Sequence, residues 1–386
     1  MRWKVGRLLA LCCVLVAGCA PCTGPAVASG LQYLGQIQLA AGTRFGGTVV
    51  GGLSGISYDP GRDCYYVISD DRSASGPARF YTVRLSVSER GIDDVVVDDL
   101  VVDAVHPLLD EGGRPFGPRS FDGSPLVIPP DPEGIAFDGG RQRLYWSSEG
   151  ERRTGGPRGP VLADPWVRIA GLDGGYLGRF AIPPGLAMSA QRTGPRRNTT
   201  LEGLTVTADG RLLFAAMEGP GYDDGALPDR THGALTRITA YRLDSGGDPA
   251  VPAAQYAYPL EPAPEHGAPV ETNGLTDLVA LSDTAFLVIE RAFRAAPTVR
   301  VFRADIGNAT DVLGVPTLTS AAVTPMTKTL LADLSTTPGL DPLDNIEGIT
   351  LGPQLPDGRQ TLVLVSDDNF SPRQVTQFLV FAMRGI

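Results

Sequence analysis

Short apolar runs closed by Gly, Pro, Asp and Asn alternate along most of this chain, and the three-to-four-residue apolar spacing of an amphipathic helix is scarce. Five stretches repeat one arrangement, two apolar runs joined by a turn and bracketed by polar residues. They open at Leu53-Ser54-Gly55-Ile56, Pro132-Glu133-Gly134-Ile135, Leu201-Glu202-Gly203-Leu204, Thr276-Asp277-Leu278-Val279 and Ile346-Glu347-Gly348-Ile349. They close at Ser69-Asp70, Ser148-Glu149, Met217-Glu218, Ile289-Glu290 and Ser366-Asp367. The turns between hold Asp59-Pro60-Gly61, Asp138-Gly139-Gly140, Asp209-Gly210, Ser282-Asp283 and Asp357-Gly358, residues that permit tight reversals. Each copy therefore predicts a β-hairpin.

A pattern recurring at such intervals means stacked units rather than one irregular core. The copies begin at 54, 133, 202, 277 and 347, which leaves room for two further strands in each. Candidates are 79–85 with 95–102, 166–170 with 176–182, 235–243 with 255–260, and 299–304 with 328–334. Four strands per unit is the blade of a β-propeller, so the expected class is all-β with five four-stranded blades; the stretch 103–132 is long enough to hold a sixth. The fifth unit runs out of chain after its third strand. Tyr33-Leu34-Gly35-Gln36-Ile37 repeats the pattern of Tyr176-Leu177-Gly178-Arg179-Phe180, so the N-terminal strand is expected to complete that blade and close the ring.

Equivalent positions of a propeller's inner strands form rings about its axis. The opening position supplies Ser54, Glu133, Glu202, Asp277 and Glu347, and the closing position supplies Asp70, Glu149, Glu218, Glu290 and Asp367. Hairpin geometry brings both sets to one face, so up to nine carboxylates are expected at one channel mouth. Like charges so gathered raise one another's pKa unless neutralised, either by hard cations that favour oxygen ligands or by arginines such as Arg72, Arg152, Arg153, Arg197 and Arg291. Glu-Gly at a strand start also has a purely structural use, bonding neighbouring blades through backbone amides. A shared cation demands at least three carboxylates with oxygens within about 5 Å of one another.

The ends and the composition add a location. Arg2, Lys4 and Arg7 precede an apolar run over 8–17 that is too short to span a bilayer, the order of an export signal. Val16-Ala17-Gly18-Cys19 resembles a bacterial lipobox, which makes Cys19 the expected lipidation site, 1–18 the leader, 19–30 a flexible tether and 31–386 the propeller. Cleavage after Ala28, in Ala26-Val27-Ala28, would instead release a secreted protein. Cys22 and Cys64 are then the free thiols, too few for a disulfide framework or a cysteine metal site, although they could bridge each other in an oxidising envelope. Loss of three leader cations takes the net charge from −10 to about −13, which excludes nucleic acid and anionic lipid surfaces as partners and leaves the lipid anchor as the contact with a membrane. A monomer is expected. The sequence holds no Gly-x-Ser-x-Gly elbow, P-loop or dinucleotide glycine motif, and only His106, His232 and His266, which disfavours a catalytic triad or a histidine metal centre.

Leu53 to Arg72 with its Ser-Asp-Asp-Arg, Asp131-Pro132-Glu133-Gly134-Ile135, Leu201-Glu202-Gly203-Leu204 and Asn345-Ile346-Glu347-Gly348-Ile349 with Ser366-Asp367-Asp368-Asn369 resemble the phytase-like family, also described by an esterase-like activity of phytase. The resemblance implies an exported propeller related in style to the β-propeller phytases, which use Ca2+ on a carboxylate-rich face to bind substrate phosphate. The substrate is then a small ester, phosphorylated in the first reading. Glu133, Glu202 and Glu347 become candidate catalytic carboxylates, and Arg72, Arg152 and Arg291 candidate substrate ligands. Asp70, Glu149, Glu218, Asp277, Glu290 and Asp367 become candidate metal ligands. The alternatives are a binding or scaffolding propeller of the envelope, and a carboxylic ester or lactone hydrolase.

Overall fold

The second strand of every hairpin is apolar almost without interruption, because neighbouring blades cover both of its faces. These strands are Cys64–Ser69, Arg143–Ser148, Leu212–Met217, Ala285–Ala292 and Gln360–Ser366, and nearly every residue in them is buried. The computed structural model describes residues 30–89, 97–120, 126–155, 159–243, 251–263, 272–292, 297–319, 322–340 and 342–384. The expected leader, Cys19, Cys22 and the expected tether up to residue 29 lie outside them.

The described residues form five four-stranded antiparallel blades. Their inner strands are Leu53–Asp59, Pro132–Asp138, Leu201–Val206, Asn273–Ala280 and Ile346–Gln354, each in contact with the next, and the last with the first. The outer two strands fall where the repeat leaves room for them. They are Arg79–Val87 with Val97–Pro107, Trp166–Gly171 with Tyr176–Arg179, Ala234–Arg242 with Pro252–Leu260, and Thr298–Asp305 with Thr327–Asp333. In the fifth blade Gln377–Met383 pairs with Gln32–Gln38, joining Gln38 to Gln377, so the ring is closed by the first strand as expected. The described residues of 103–132 add no sixth blade. They extend a first-blade strand to Pro107 and then run as a loop with two isolated bridges.

The core is divided into layers, one at each junction. Tyr66, Ile68 and Phe80 of blade one meet Ile135 and Trp146 of blade two. Val67 and Tyr81 meet Val363 and Phe378 across the closing junction. At the axis the blades approach so closely that a Cβ on Gly55 would lie 2.5 Å from the carbonyl oxygen of Glu133, and one on Gly134 2.5 Å from that of Glu202. This is why glycine follows the opening residue, and it holds the acids of adjacent blades side by side.

Candidate functional site

Strand pairing fixes which residues are equivalent. Leu53 lies opposite Ser69, Pro132 opposite Ser148, Leu201 opposite Met217, and Ile346 opposite Ser366. In blade four the same register sets Leu275 opposite Glu290. The next residue on each strand belongs to the ring. The opening position is therefore Ser54, Glu133, Glu202, Thr276 and Glu347, and the closing position is Asp70, Glu149, Glu218, Arg291 and Asp367. Blade four thus differs from the expected assignment by one residue at both ends, and a slip of one turns a side chain to the other face.

Asp277 occupies the glycine position. Its carboxylate accepts backbone N–H groups of Leu278 (2.8 Å), Ile349 (2.9 Å) and Leu204 (3.2 Å), tying blades three, four and five together. Glu290 turns away from the axis and is fully buried, accepting from the Tyr258 hydroxyl, Asn273 Nδ2, the Glu261 backbone N–H and Lys328. Both are structural acceptors and neither lines the mouth. Arg152 is also placed elsewhere. It donates to the carbonyls of Ser189 and Gln191 and stacks 4.7 Å from the Tyr222 ring, pinning a loop.

The other predicted residues come together. A bowl of about 540 Å3 on the axis is lined by Asp70, Glu133, Glu202, Glu218, Glu347 and Asp367 with Arg72 and Arg291. Asn198, Thr199, Thr272, Asn345 and Asn369 complete the lining. Glu149 stands beside it. Oxygens of Asp131, Glu133 and Glu149 lie within 4.8 Å of one another, the spacing a shared hard cation requires. Asp131 was not among the expected ligands, although it lies two residues before Glu133, and strand alternation puts both on one side. Glu149 Oε1 accepts from the Thr200 backbone at 2.5 Å, while its buried Oε2 has no hydrogen-bond partner among the described residues. A buried carboxylate oxygen left unpaired beside two further carboxylates fits a cation of the calcium type.

Two arginines divide the bowl. Arg72 pairs with Asp131 and donates to Asn198 Oδ1 at 2.6 Å. Arg291, in the position where the other blades carry an acid, reaches Glu347 at 2.8 Å and Glu218 at 3.2 Å. Asn345 orders that side: its Oδ1 accepts from Arg291, and its Nδ2 donates to Glu347 (3.0 Å) and Asp367 (3.3 Å). Asn345 and Asp131 hold the same repeat position, two before the opening acid, and each engages an arginine.

Burial dominates the acidity of the bowl. It pushes Asp70, Glu133, Glu202 and Asp367 well above the usual carboxylate range, and neighbouring carboxylates push the same way. Glu149 rises to about 8 through burial and Asp131. Glu218 rises to about 7 through burial, with Arg291 opposing, and Asp131 to about 6 through burial, with Arg72 opposing. The mouth therefore retains protons near neutral pH unless a cation replaces them.

The profile of the family described as "Phytase-like: Esterase-like activity of phytase" matches residues 48–370. The chain belongs to this phytase-like family. No curated protein matches it. Among solved structures, this phytase-like propeller is similar to a bifunctional GH43-CE protein of Bacteroides eggerthii, at 12% identity over 88% of this chain and TM-score 0.39. It spans about a third (34%) of that protein. A GH43 beta 1,3 galactosidase is similar at 9% identity, covering 89% of this chain and 94% of its own, with TM-score 0.43. The periplasmic gluconolactonase of Pseudomonas aeruginosa matches at 10% identity, over 86% of this chain and 85% of its own, with TM-score 0.32. Likenesses this distant say nothing about what the phytase-like bowl binds.

Proposed function

We propose that this phytase-like chain is a hydrolase of small esters, phosphate esters first, and that its bowl works with calcium held by Asp131, Glu133 and Glu149. The observation that carries the reading is the triad of carboxylate oxygens within 4.8 Å, one of them buried without a donor, on the axis of a propeller whose family is described by an esterase-like activity. When bound there, a hard cation supplies Lewis acidity and a water of lowered pKa.

The chain's own residues supply the rest. Arg291, braced by Glu218, Glu347 and Asn345, presents a fixed guanidinium to the oxyanion of the ester, and Arg72 does so beside the triad. Glu202 faces the bowl with its proton affinity raised by burial, by Glu149 and by Glu218, which suits it to deliver a proton to the leaving oxygen. Glu347 acts as a positioned carboxylate, held by Asn345 and Arg291.

The test is to strip metal from residues 29–386 and assay phosphate monoesters, phytate and simple carboxylic esters with and without calcium. Turnover is expected only with calcium, and Glu202→Gln is expected to lower kcat by about 100-fold or more at unchanged melting temperature. Inertness toward every ester, with and without metal, sinks the reading in favour of a binding propeller.

A further inference from the structure

Blade four sends a long loop, between Thr298–Asp305 and Thr327–Asp333, across the outer strand of blade three. The backbone N–H groups of Val312 and Met326 donate to the carbonyls of Gln255 (2.7 Å) and Ala257 (2.9 Å), so the loop covers an edge strand. A buried ion pair locks it there. Arg237 Nε and Nη2 donate to the two oxygens of Asp224 at 2.6 and 2.7 Å. Nη1 donates to Gln255 Oε1 (2.8 Å) and the Val312 carbonyl (3.4 Å), and Nη2 also to the Val315 carbonyl (3.0 Å). All five guanidinium hydrogens are thereby engaged, and the charge is answered by Asp224.

The loop does not pack flush. Between it, residues 183–194 of blade two and the turn at 221–224 of blade three lies a hollow of about 510 Å3. Pro183, Leu186, Met217, Leu313, Val315 and Pro316 make its walls apolar, and the Arg237–Asp224 pair lies at its base. That base is buried while Gly314 and Pro316 are exposed, so the hollow is closed below and open to solvent above. Its size and lining are those of a small-molecule pocket. It is separate from the bowl: Met217 ends its strand and Glu218 follows, so alternation turns Met217 into the hollow and Glu218 into the bowl.

The fixed charges select the ligand. With Arg237 saturated, the unanswered charge of the lining is Asp223, which is exposed. Its Oδ2 accepts from the Gly194 backbone N–H at 2.6 Å, and its other oxygen takes no hydrogen bond among the described residues. Arg192 lies against the Tyr222 ring at 5.4 Å and is not part of the lining. The hollow therefore disfavours anions and offers one acceptor at its rim. Apolar walls suit an uncharged body, and the thioether of Met217 favours an aromatic one.

We propose that this hollow is a binding site for an uncharged aromatic molecule carrying a hydrogen-bond donor, with the rings against the apolar walls and the donor on Asp223. The site stands apart from the hydrolase reading and does not depend on it.

The experiment is fluorescence titration of the purified protein with N-phenyl-1-naphthylamine, which is uncharged and has one N–H, and with 8-anilino-1-naphthalenesulfonate, which adds an anion to the same rings. Wild type is expected to bind the neutral probe saturably at one site, about tenfold or more tighter than the sulfonate. Gly185 and Gly314 line the hollow, and a Cβ on either meets nothing within 4 Å, so tryptophan there adds an indole without displacing the fold. Gly185→Trp and Gly314→Trp are each expected to weaken the neutral probe about tenfold or more, with the melting temperature unchanged. Asp223→Asn leaves the walls intact and is expected to narrow the gap between the two probes by admitting the anion. Absence of saturable binding by wild type overturns the site, as do two stable tryptophan variants that bind like wild type. Should a tryptophan variant melt lower, Asp223→Asn decides: a gap between the probes that it leaves unchanged overturns the assignment.

Discussion

Asp277 puts a carboxylate where the other four blades carry Gly55, Gly134, Gly203 and Gly348. Buried near the axis, it is kept there by the three backbone N–H groups it accepts, which belong to three different blades. Removing it takes the side-chain acceptor from three backbone donors, and each buried N–H left unpaired costs roughly 1–3 kcal/mol. Asp277→Ala is accordingly expected to destabilise the fold by about 3 kcal/mol or more in urea unfolding, without loss of calcium affinity. A variant as stable as wild type would show that Asp277 is not a tie between blades.

At the scale of elements, the hairpins, their turns and the closing strand were legible because they depend on periodicity and on turn residues. Register was legible only where glycine marked it. In blade four the polar Asp277 stands in the glycine position and draws the alignment one residue onward, so Asp277 and Glu290 were read as ring members in place of Thr276 and Arg291. The ring therefore carries seven carboxylates and one arginine (Asp70, Glu133, Glu149, Glu202, Glu218, Glu347 and Asp367 with Arg291), not nine carboxylates. The distinction between Arg152 and Arg153 needed a three-residue strand too short to reveal its alternation, and Asn198 and Asn369 sit in loops without any period. The closing strand permits a direct test. Deleting residues up to 38 leaves the edge of Gln377–Met383 open and uncovers Phe381, on which the Tyr33 ring packs at 5.4 Å. The truncated chain is expected to aggregate, and a separately supplied peptide of residues 30–39 to restore solubility; a soluble, monomeric truncation showing the original melting curve would contradict the closure.

For the molecule as a whole, the crowded mouth links stability to pH. Asp131, Glu218 and Glu149 titrate at about 6, 7 and 8 in the folded state, above the ordinary carboxylate values they regain on unfolding. A group raised in this way holds its proton more tightly when folded, so its stabilisation is complete below about pH 4 and is lost as pH climbs through the folded values. In a chelator, the melting temperature is therefore expected to fall by several degrees between pH 5 and pH 8. Calcium should restore most of the loss at pH 8 and little at pH 5, where protons occupy its ligands. Melting curves at four pH values, each with chelator and with calcium, decide the matter; a flat profile in chelator would contradict the buried acidic mouth.

The bond between positions 38 and 377 also has a bearing on how such a chain must be made. The propeller's first strand has no partner until its last one emerges, so a nascent chain must carry an unpaired, sticky ribbon while the blades between are made. Selection should then favour whatever keeps that ribbon from pairing elsewhere in the meantime, be it a holding chaperone or translocation of the chain in unfolded form.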